Sequence, residues 1–205
     1  MIKADQYWWY CHFKLDWPED VELDLAVDLM LAHAVVGPVL QQHRQEIPYW
    51  RFHRRAARDE AGHQFSFIFY ADSATATAVM ADLHHSAILQ QALTGKILER
   101  VSFDDPNNPV RPNLEDASDP DWTIEIQRNW PAYIMGVSAT WLGLIDDVMP
   151  DTLATTDIQK LIQQYQQVHA RITAMWTREG QHAFIHHLSA IFGYEPVMIR
   201  QEIQF

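Results

Sequence analysis

The chain has 205 residues, of which 15 are Lys or Arg and 27 are Asp or Glu, so its formal net charge at pH 7 is −12. This excess of acid disfavours nucleic acid and anionic membranes as partners, because phosphate binding requires clustered Lys and Arg. A single cysteine, Cys11, excludes an internal disulfide and a cysteine-based zinc site. No apolar run reaches the roughly 20 residues that span a bilayer. The N-terminus has no basic segment followed by a hydrophobic one, so we expect a cytoplasmic protein of bacterial type.

The first half of the chain is predicted to alternate strands with helices. Its first strand has apolar residues at every odd position, and its even face begins with Trp8 and Tyr10. The predicted elements are a strand at 7–15, a helix at 21–45 interrupted at Gly37-Pro38, strands at 49–55 and 63–70, a helix at 73–93 and a strand at 97–103. This order of elements is that of a ferredoxin-like βαββαβ fold.

The second half of the chain is predicted to be helical. Residues 104–128 contain four prolines among Asp, Asn and Ser, which is typical of a connecting loop. Three helices follow, with starts expected at Asn129, Thr156 and about Gln181. We therefore expect one compact α+β protein, in which a ferredoxin-like half, 1–103, joins a C-terminal three-helix half, 129–205.

The aromatic first strand requires cover on both of its faces. Two helices of a ferredoxin-like half cover one face of the sheet, and Trp8 and Tyr10 lie on the other. The three C-terminal helices are the expected cover for this second face. A partner chain in a homodimer is the alternative.

A basic segment provides the first candidate site. Residues 44–58 contain five of the 15 Lys and Arg residues, and only Glu46 opposes them. Arginine forms forked hydrogen bonds with carboxylates, so the segment fits an anionic ligand. An edge strand kept soluble by its charge explains the same pattern, and both explanations stay open. The candidate ligand-binding residues are Arg51, His53, Arg54, Arg55 and His63, with Trp8 and Tyr10 as walls.

Histidines provide the second candidate site. His182 and His186 are four residues apart on a predicted helix and lie away from its apolar side. Such a pair can share a divalent metal, although no third ligand is evident from the sequence. We expect no other cofactor.

The order of features up to residue 70 is similar to one known family. The features are the aromatic Trp8-Trp9-Tyr10, then Val36-Gly37-Pro38-Val39 in a long helix, then Tyr49-Trp50-Arg51-Phe52-His53-Arg54, and then the strand that His63 leads. Together they resemble the C-terminal, elimination-type domain of lanthipeptide and thiopeptide dehydratases. The resemblance implies a shared scaffold and peptide binding.

The same resemblance argues against the elimination reaction itself. The family carries alternating arginines on its His-led strand, and Phe65 and Phe67 occupy those positions here. Elimination from a glutamylated peptide requires cations that hold the leaving carboxylate. The sequence therefore predicts a binding or accessory protein for an acidic small molecule or peptide, linked to peptide natural-product maturation. An enzyme that uses Arg and His for acid-base chemistry or a His-bound metal, and an oligomeric structural protein with an aromatic sheet interface, are the alternatives.

Overall fold

The computed structural model describes residues 5–150 and 157–194 of an α+β protein. Its four strands are β1 (Tyr7–Leu15), β2 (Tyr49–Ala56), β3 (His63–Ala71) and β4 (Leu98–Phe103). They form a sheet in the order β2-β3-β1-β4, and every neighbouring pair is antiparallel. The sheet therefore places the two most aromatic strands, β1 and β3, at its centre and leaves β2 and β4 as edges.

Helices cover one face of this sheet, which we call the inner face. They are α1 (Ala26–Met30), a π-helical segment (Leu31–Val36), α2 (Gly37–Gln42), α3 (Ser73–His84) and α4 (Ala87–Thr94). The odd positions of β1 and β3 point into this core, where Trp9, Cys11 and Phe13 are buried. The sequence predicts one helix at 73–93, but the structure has two, α3 and α4. The chain breaks at Ser86, whose side chain caps α4.

The helix of residues 26–42 continues through Gly37-Pro38, where the sequence predicts an interruption. Proline lacks the N–H that a regular turn uses, and this normally breaks a helix. Here the turn before Pro38 is widened, and the N–H of Gly37 bonds to the carbonyl of Ala32, five residues back. The helix also begins at Ala26 rather than at residue 21.

The C-terminal part of the chain contains a short 3-10 helix (Leu114–Ala117), α5 (Ile124–Val148), α6 (Ile158–Met175), a second π-helical segment (Trp176–His186) and α7 (His187–Ile191). Thr123, rather than Asn129, precedes α5. The expected cap at Thr156 lies outside the described residues, and Asp157 caps α6. The predicted third helix is wrong as a separate element, because the residues at both junctions are helical and the chain turns without a break from α6 to α7.

The sequence predicts that the C-terminal helices cover the second sheet face, and this prediction is wrong. Helix α5 lies along the edge strand β2, where the Ser138 hydroxyl accepts a hydrogen bond from the Phe52 N–H at 3.1 Å. Helix α6 packs on α1 and on the π-helical segment, where the Tyr165 hydroxyl donates to Nδ1 of His33 at 2.7 Å. Both helices join the inner core through Ile145, Val148, Leu161, Ile162, Tyr165, Val168 and Ile172. The reason is that the bare edge of β2 and the outer side of α1 also require cover.

The second face, which we call the outer face, is covered at one end by residues 104–118. Trp8 is 1% exposed there, and its indole N–H donates to the carbonyl of Leu114 at 3.0 Å. Ile68 and Ala117 complete this small cluster. Only this end of the face is strongly apolar, so a short connecting segment is enough to bury it. Among residues 5–150 and 157–194, no helix has the length and apolar character that crossing a bilayer requires.

Candidate anion-binding face

Strand register gathers polar side chains on the uncovered end of the outer face. Residues directly opposite each other in antiparallel strands share a face, and the register aligns His53 with Ser66 and Ser66 with His12. The complete polar set is Lys14 and His12 on β1, Arg51, His53 and Arg55 on β2, Gln64 and Ser66 on β3, and Arg100 and Ser102 on β4. This face therefore carries mainly cationic and neutral polar groups, and the carboxylate of Glu99 on β4 reaches its Lys14 at 2.9 Å.

Three side chains at the centre of this face form a hydrogen-bonded cluster. The Ser66 hydroxyl lies 2.9 Å from Nδ1 of His12, and the Gln64 amide nitrogen lies 3.0 Å from the same atom. The Gln64 amide also donates to the Ser66 hydroxyl at 3.3 Å. Because two donors converge on Nδ1, this nitrogen is the acceptor, and the imidazole proton resides on Nε2. His12 is thus held as a neutral donor.

Burial and positive neighbours keep the histidines of this face uncharged. Burial lowers the pKa of His12, with Arg111 and Arg100 acting in the same direction and Asp104 opposing them. Burial also lowers the pKa of His53, and Arg51 is the next cause. An anion placed between these groups would reverse the charge effects and favour protonation.

Arg51 is a half-buried arginine of this face, whereas Arg100, which likewise has no ion pair among the described residues, is exposed to solvent. Burial lowers the pKa of its guanidinium. One terminal nitrogen donates to the carbonyl of Ala117 at 3.3 Å, whereas Nε is buried and has no hydrogen-bond partner in the part of the chain that the structure describes. Within those same residues no carboxylate pairs with Arg51, in contrast to Arg55, which pairs with Asp59.

The structure places Arg54 and His63 on the opposite face. Both contact Asp28, a carboxylate of α1 that is 0% exposed. Arg54 Nε lies 2.7 Å from one oxygen of Asp28, and His63 Nε2 lies 2.9 Å from the other. Arg54 also stacks over the ring of Trp141. These two predicted site residues thus join the first helix to the sheet and are separated from Arg51, His53 and Arg55.

The two predicted aromatic walls differ in exposure. Trp8 is covered by the chain's own residues 111–117, so it packs the fold and does not form an open wall. Tyr10 is half-buried beside the polar cluster, and the guanidinium of Arg111 lies 4.1 Å from the centre of its ring. Arg111 in turn pairs with Asp104 at 2.7 Å. Of the two, only Tyr10 borders the candidate site.

The predicted metal ligands lie far along the chain, in the second π-helical segment. His182 and His186 are exposed, and their rings stack with centroids 4.8 Å apart. Across the described ranges 5–150 and 157–194, no group of three or more His, Cys, Asp or Glu residues could hold a metal ion. Among the described residues, these two histidines therefore have no third ligand beside them.

The site residues predicted from the sequence do not include His12, Gln64, Ser66 or Asp28. The first three are polar residues at even positions of β1 and β3, and a strict alternation pattern places them on one face. What the pattern lacks is the register that aligns Ser66 with His12 and His53. Asp28 has one detectable signal, since it is an acid in a helix whose other members are all apolar.

The chain matches no model of a known protein family, and it has no match among curated proteins.

Proposed function

We propose that the chain binds the carboxylate groups of an acidic small molecule or peptide on the outer face of its sheet. The observation that carries this proposal is Arg51, a largely buried guanidinium with an unused Nε donor and no carboxylate partner among the described residues. His53 and the Nε2–H of His12 add neutral donors beside it. An incoming carboxylate would neutralise this unpaired cation through the terminal nitrogens of the guanidinium, because the buried Nε itself is closed to solvent.

An anion gains more at a half-buried cation than at one in open solvent. Hydrogen bonds to charged groups contribute about 1.5–3 kcal/mol each, more than neutral ones, because the surroundings screen them less than water does. The two tight ion pairs nearby, Arg55 with Asp59 and Lys14 with Glu99, already compensate their own charges. Arg51 is therefore the natural anchor, and the histidines tune the affinity.

We infer a ferredoxin-like arrangement for residues 7–103, supported by the chain order βαββαβ and by a fully antiparallel sheet in the order β2-β3-β1-β4. The link to peptide natural-product maturation rests on the N-terminal resemblance alone. Elimination activity is no part of the proposal. Phe65 and Phe67 are buried in the inner core, so a side chain at either position could not contact a substrate.

A hydrolytic or acyl-transfer function is the second candidate, favoured by the 2.9 Å contact between Ser66 and His12. A hydroxyl bonded to an imidazole is the usual arrangement of an activated nucleophile. Ser66 is 1% exposed, however, so a substrate carbon has no path to its oxygen. Cys11 is also enclosed in the core, and burial raises the pKa of its thiol. Binding is therefore the better supported function.

Titration calorimetry at low salt tests the proposal with citrate and with the capped tripeptide Glu-Gly-Glu. The capped tripeptide Gln-Gly-Gln is the uncharged counterpart. We expect Arg51→Gln to weaken binding of both acidic probes about tenfold or more, the equivalent of one charged hydrogen bond. Arg178→Gln removes the same charge at an exposed site remote in the sequence and should leave binding unchanged. Equal affinity in the two variants, or no preference for Glu-Gly-Glu over Gln-Gly-Gln, would refute the proposal.

A further inference from the structure

The helix that begins with α6 continues as an arm, residues 176–194, whose side chains have little contact with the other described residues. Helix α6 buries a regular apolar stripe, but within the arm only Gly180 is buried. The large apolar side chains exposed on the arm are Trp176, Phe184, Ile185, Ile191, Phe192 and Tyr194. Clusters of this kind commonly mark contact surfaces for another protein.

The arm also carries the stacked histidine pair. The planes of the His182 and His186 rings are only 16° apart, so the two imidazoles face the same side of the helix. The neighbouring His187 is held differently, because its Nδ1–H donates to the carbonyl of Ala183 at 2.8 Å.

The arm is electrically neutral, in contrast to the rest of the chain. Its only formal charges are Arg178 and Glu179, which pair with each other at 2.6 Å. The whole chain carries −12, so two copies repel each other over most of their surfaces. Two arms can meet without that repulsion, which favours a second copy as the partner of the arm.

A two-fold axis would complete the histidine pair. Structural zinc sites hold the ion with four ligands, and imidazole is among the ligands that zinc prefers. Each chain offers two ligands, and a symmetric pair of chains offers the same two again. We propose that two copies of this chain associate through their arms and that His182 and His186 of both copies bind one zinc-like divalent cation between them. This inference uses residues that the proposed carboxylate site does not.

Without the cation, the exposed apolar residues of the arm would retain a weaker association of the two copies.

Sedimentation velocity and native mass spectrometry on untagged full-length protein test the proposal, with zinc chloride as the probe. We expect zinc to produce a dimer that contains one zinc ion per two chains, and EDTA to raise the dissociation constant at least tenfold. His182→Gln and His186→Gln should each abolish this effect of zinc. His187→Gln is the matched control, since it removes an adjacent histidine that is already bonded, and it should retain the effect.

Three results would overturn the proposal. They are a monomer that binds one zinc ion per chain, a dimer whose dissociation constant zinc does not change, and protein that binds no zinc at all. All substituted side chains are exposed, so near-ultraviolet circular dichroism should confirm that each variant stays folded. Loss of citrate binding would not affect this outcome, and loss of zinc binding would not affect the carboxylate site.

Discussion

Replacing Asp28 by alanine should destabilise the protein more than any other loss of a single described carboxylate. Asp28 is completely buried, and its two oxygens bond to different elements, Arg54 of β2 and His63 of β3. Removing one member of such a buried network usually costs about 3–5 kcal/mol, because the partners stay buried without compensation. The contact also joins α1 to the sheet, so its loss weakens the packing of a helix on the core.

The structure places the expected value at the lower end of this range, at about 3 kcal/mol. The Arg54 side chain is 31% exposed, so its guanidinium can regain water when the carboxylate is removed. His63 is 2% exposed and cannot do so without local opening. Alanine also favours the helix by a few tenths of a kcal/mol, which offsets part of the loss.

Urea unfolding followed by circular dichroism measures the effect, with Asp82→Ala as the matched control. Asp82 also lies in a helix and also bonds to a histidine, His43, at 2.7 Å, but its side chain is 36% exposed. We expect the control to lose less than about 1 kcal/mol. If Asp28→Ala does not fold, Asp28→Asn keeps the shape of the side chain and should still lose more than the control. A free-energy loss for either Asp28 variant no larger than that of Asp82→Ala would refute the reasoning.

Further predictions separate the two sheet faces. Arg51→Gln should weaken citrate binding and lower the urea midpoint only slightly, through loss of its hydrogen bond to the Ala117 carbonyl. Arg54→Gln should lower the midpoint further and leave citrate affinity intact, and the opposite pattern would contradict the assignment of the two faces. Because the folded-state pKa values of His12 and His53 lie below their unfolded value of about 6.5, the unfolded chain binds more protons, and these groups should reduce stability as the pH falls below about 6.5. Affinity for the capped Glu-Gly-Glu tripeptide, whose carboxyl groups titrate near pH 4.3 and stay ionised in this interval, should rise as the pH falls towards about 5.5. Calorimetry at several pH values would measure this rise, and a flat profile would exclude the histidines. Ser138→Ala should cost about 1–2 kcal/mol in urea unfolding, because it leaves a buried N–H of β2 unbonded, and an unchanged midpoint would show that water replaces the hydroxyl.

Local patterns of the sequence were sufficient to predict the four strands and their α+β context. Strand β1 alternates apolar residues over its whole length, and such a period is a property of the backbone itself. The same alternation separates Arg54 from Arg51, His53 and Arg55, because an even position cannot share a face with odd ones in a regular strand. The prediction of a single site that contains all four residues is therefore wrong. The structure puts Arg54 on the inner face and the other three on the outer face.

Other features depended on long-range contacts that no local pattern contains. The π-helical turns before Pro38 arise because the flanking segments are both held against the core, so widening the helix costs less than breaking it. The pairing of Asp28 with His63 joins residues 35 positions apart, and that of Arg51 with Ala117 joins residues 66 positions apart.

By itself the sequence determined where apolar residues alternate with the period of a strand and where they recur with the period of a helix. Tertiary structure decided which element covers which face, because several apolar surfaces compete for the same covering segments and only the global packing selects among them. Trp8 is an example, since its burial was foreseeable but its cover, residues 111–117, was not. Strand register likewise decided that His12, Ser66 and His53 meet on the outer face, because a shift by one residue would have turned each of them into the core.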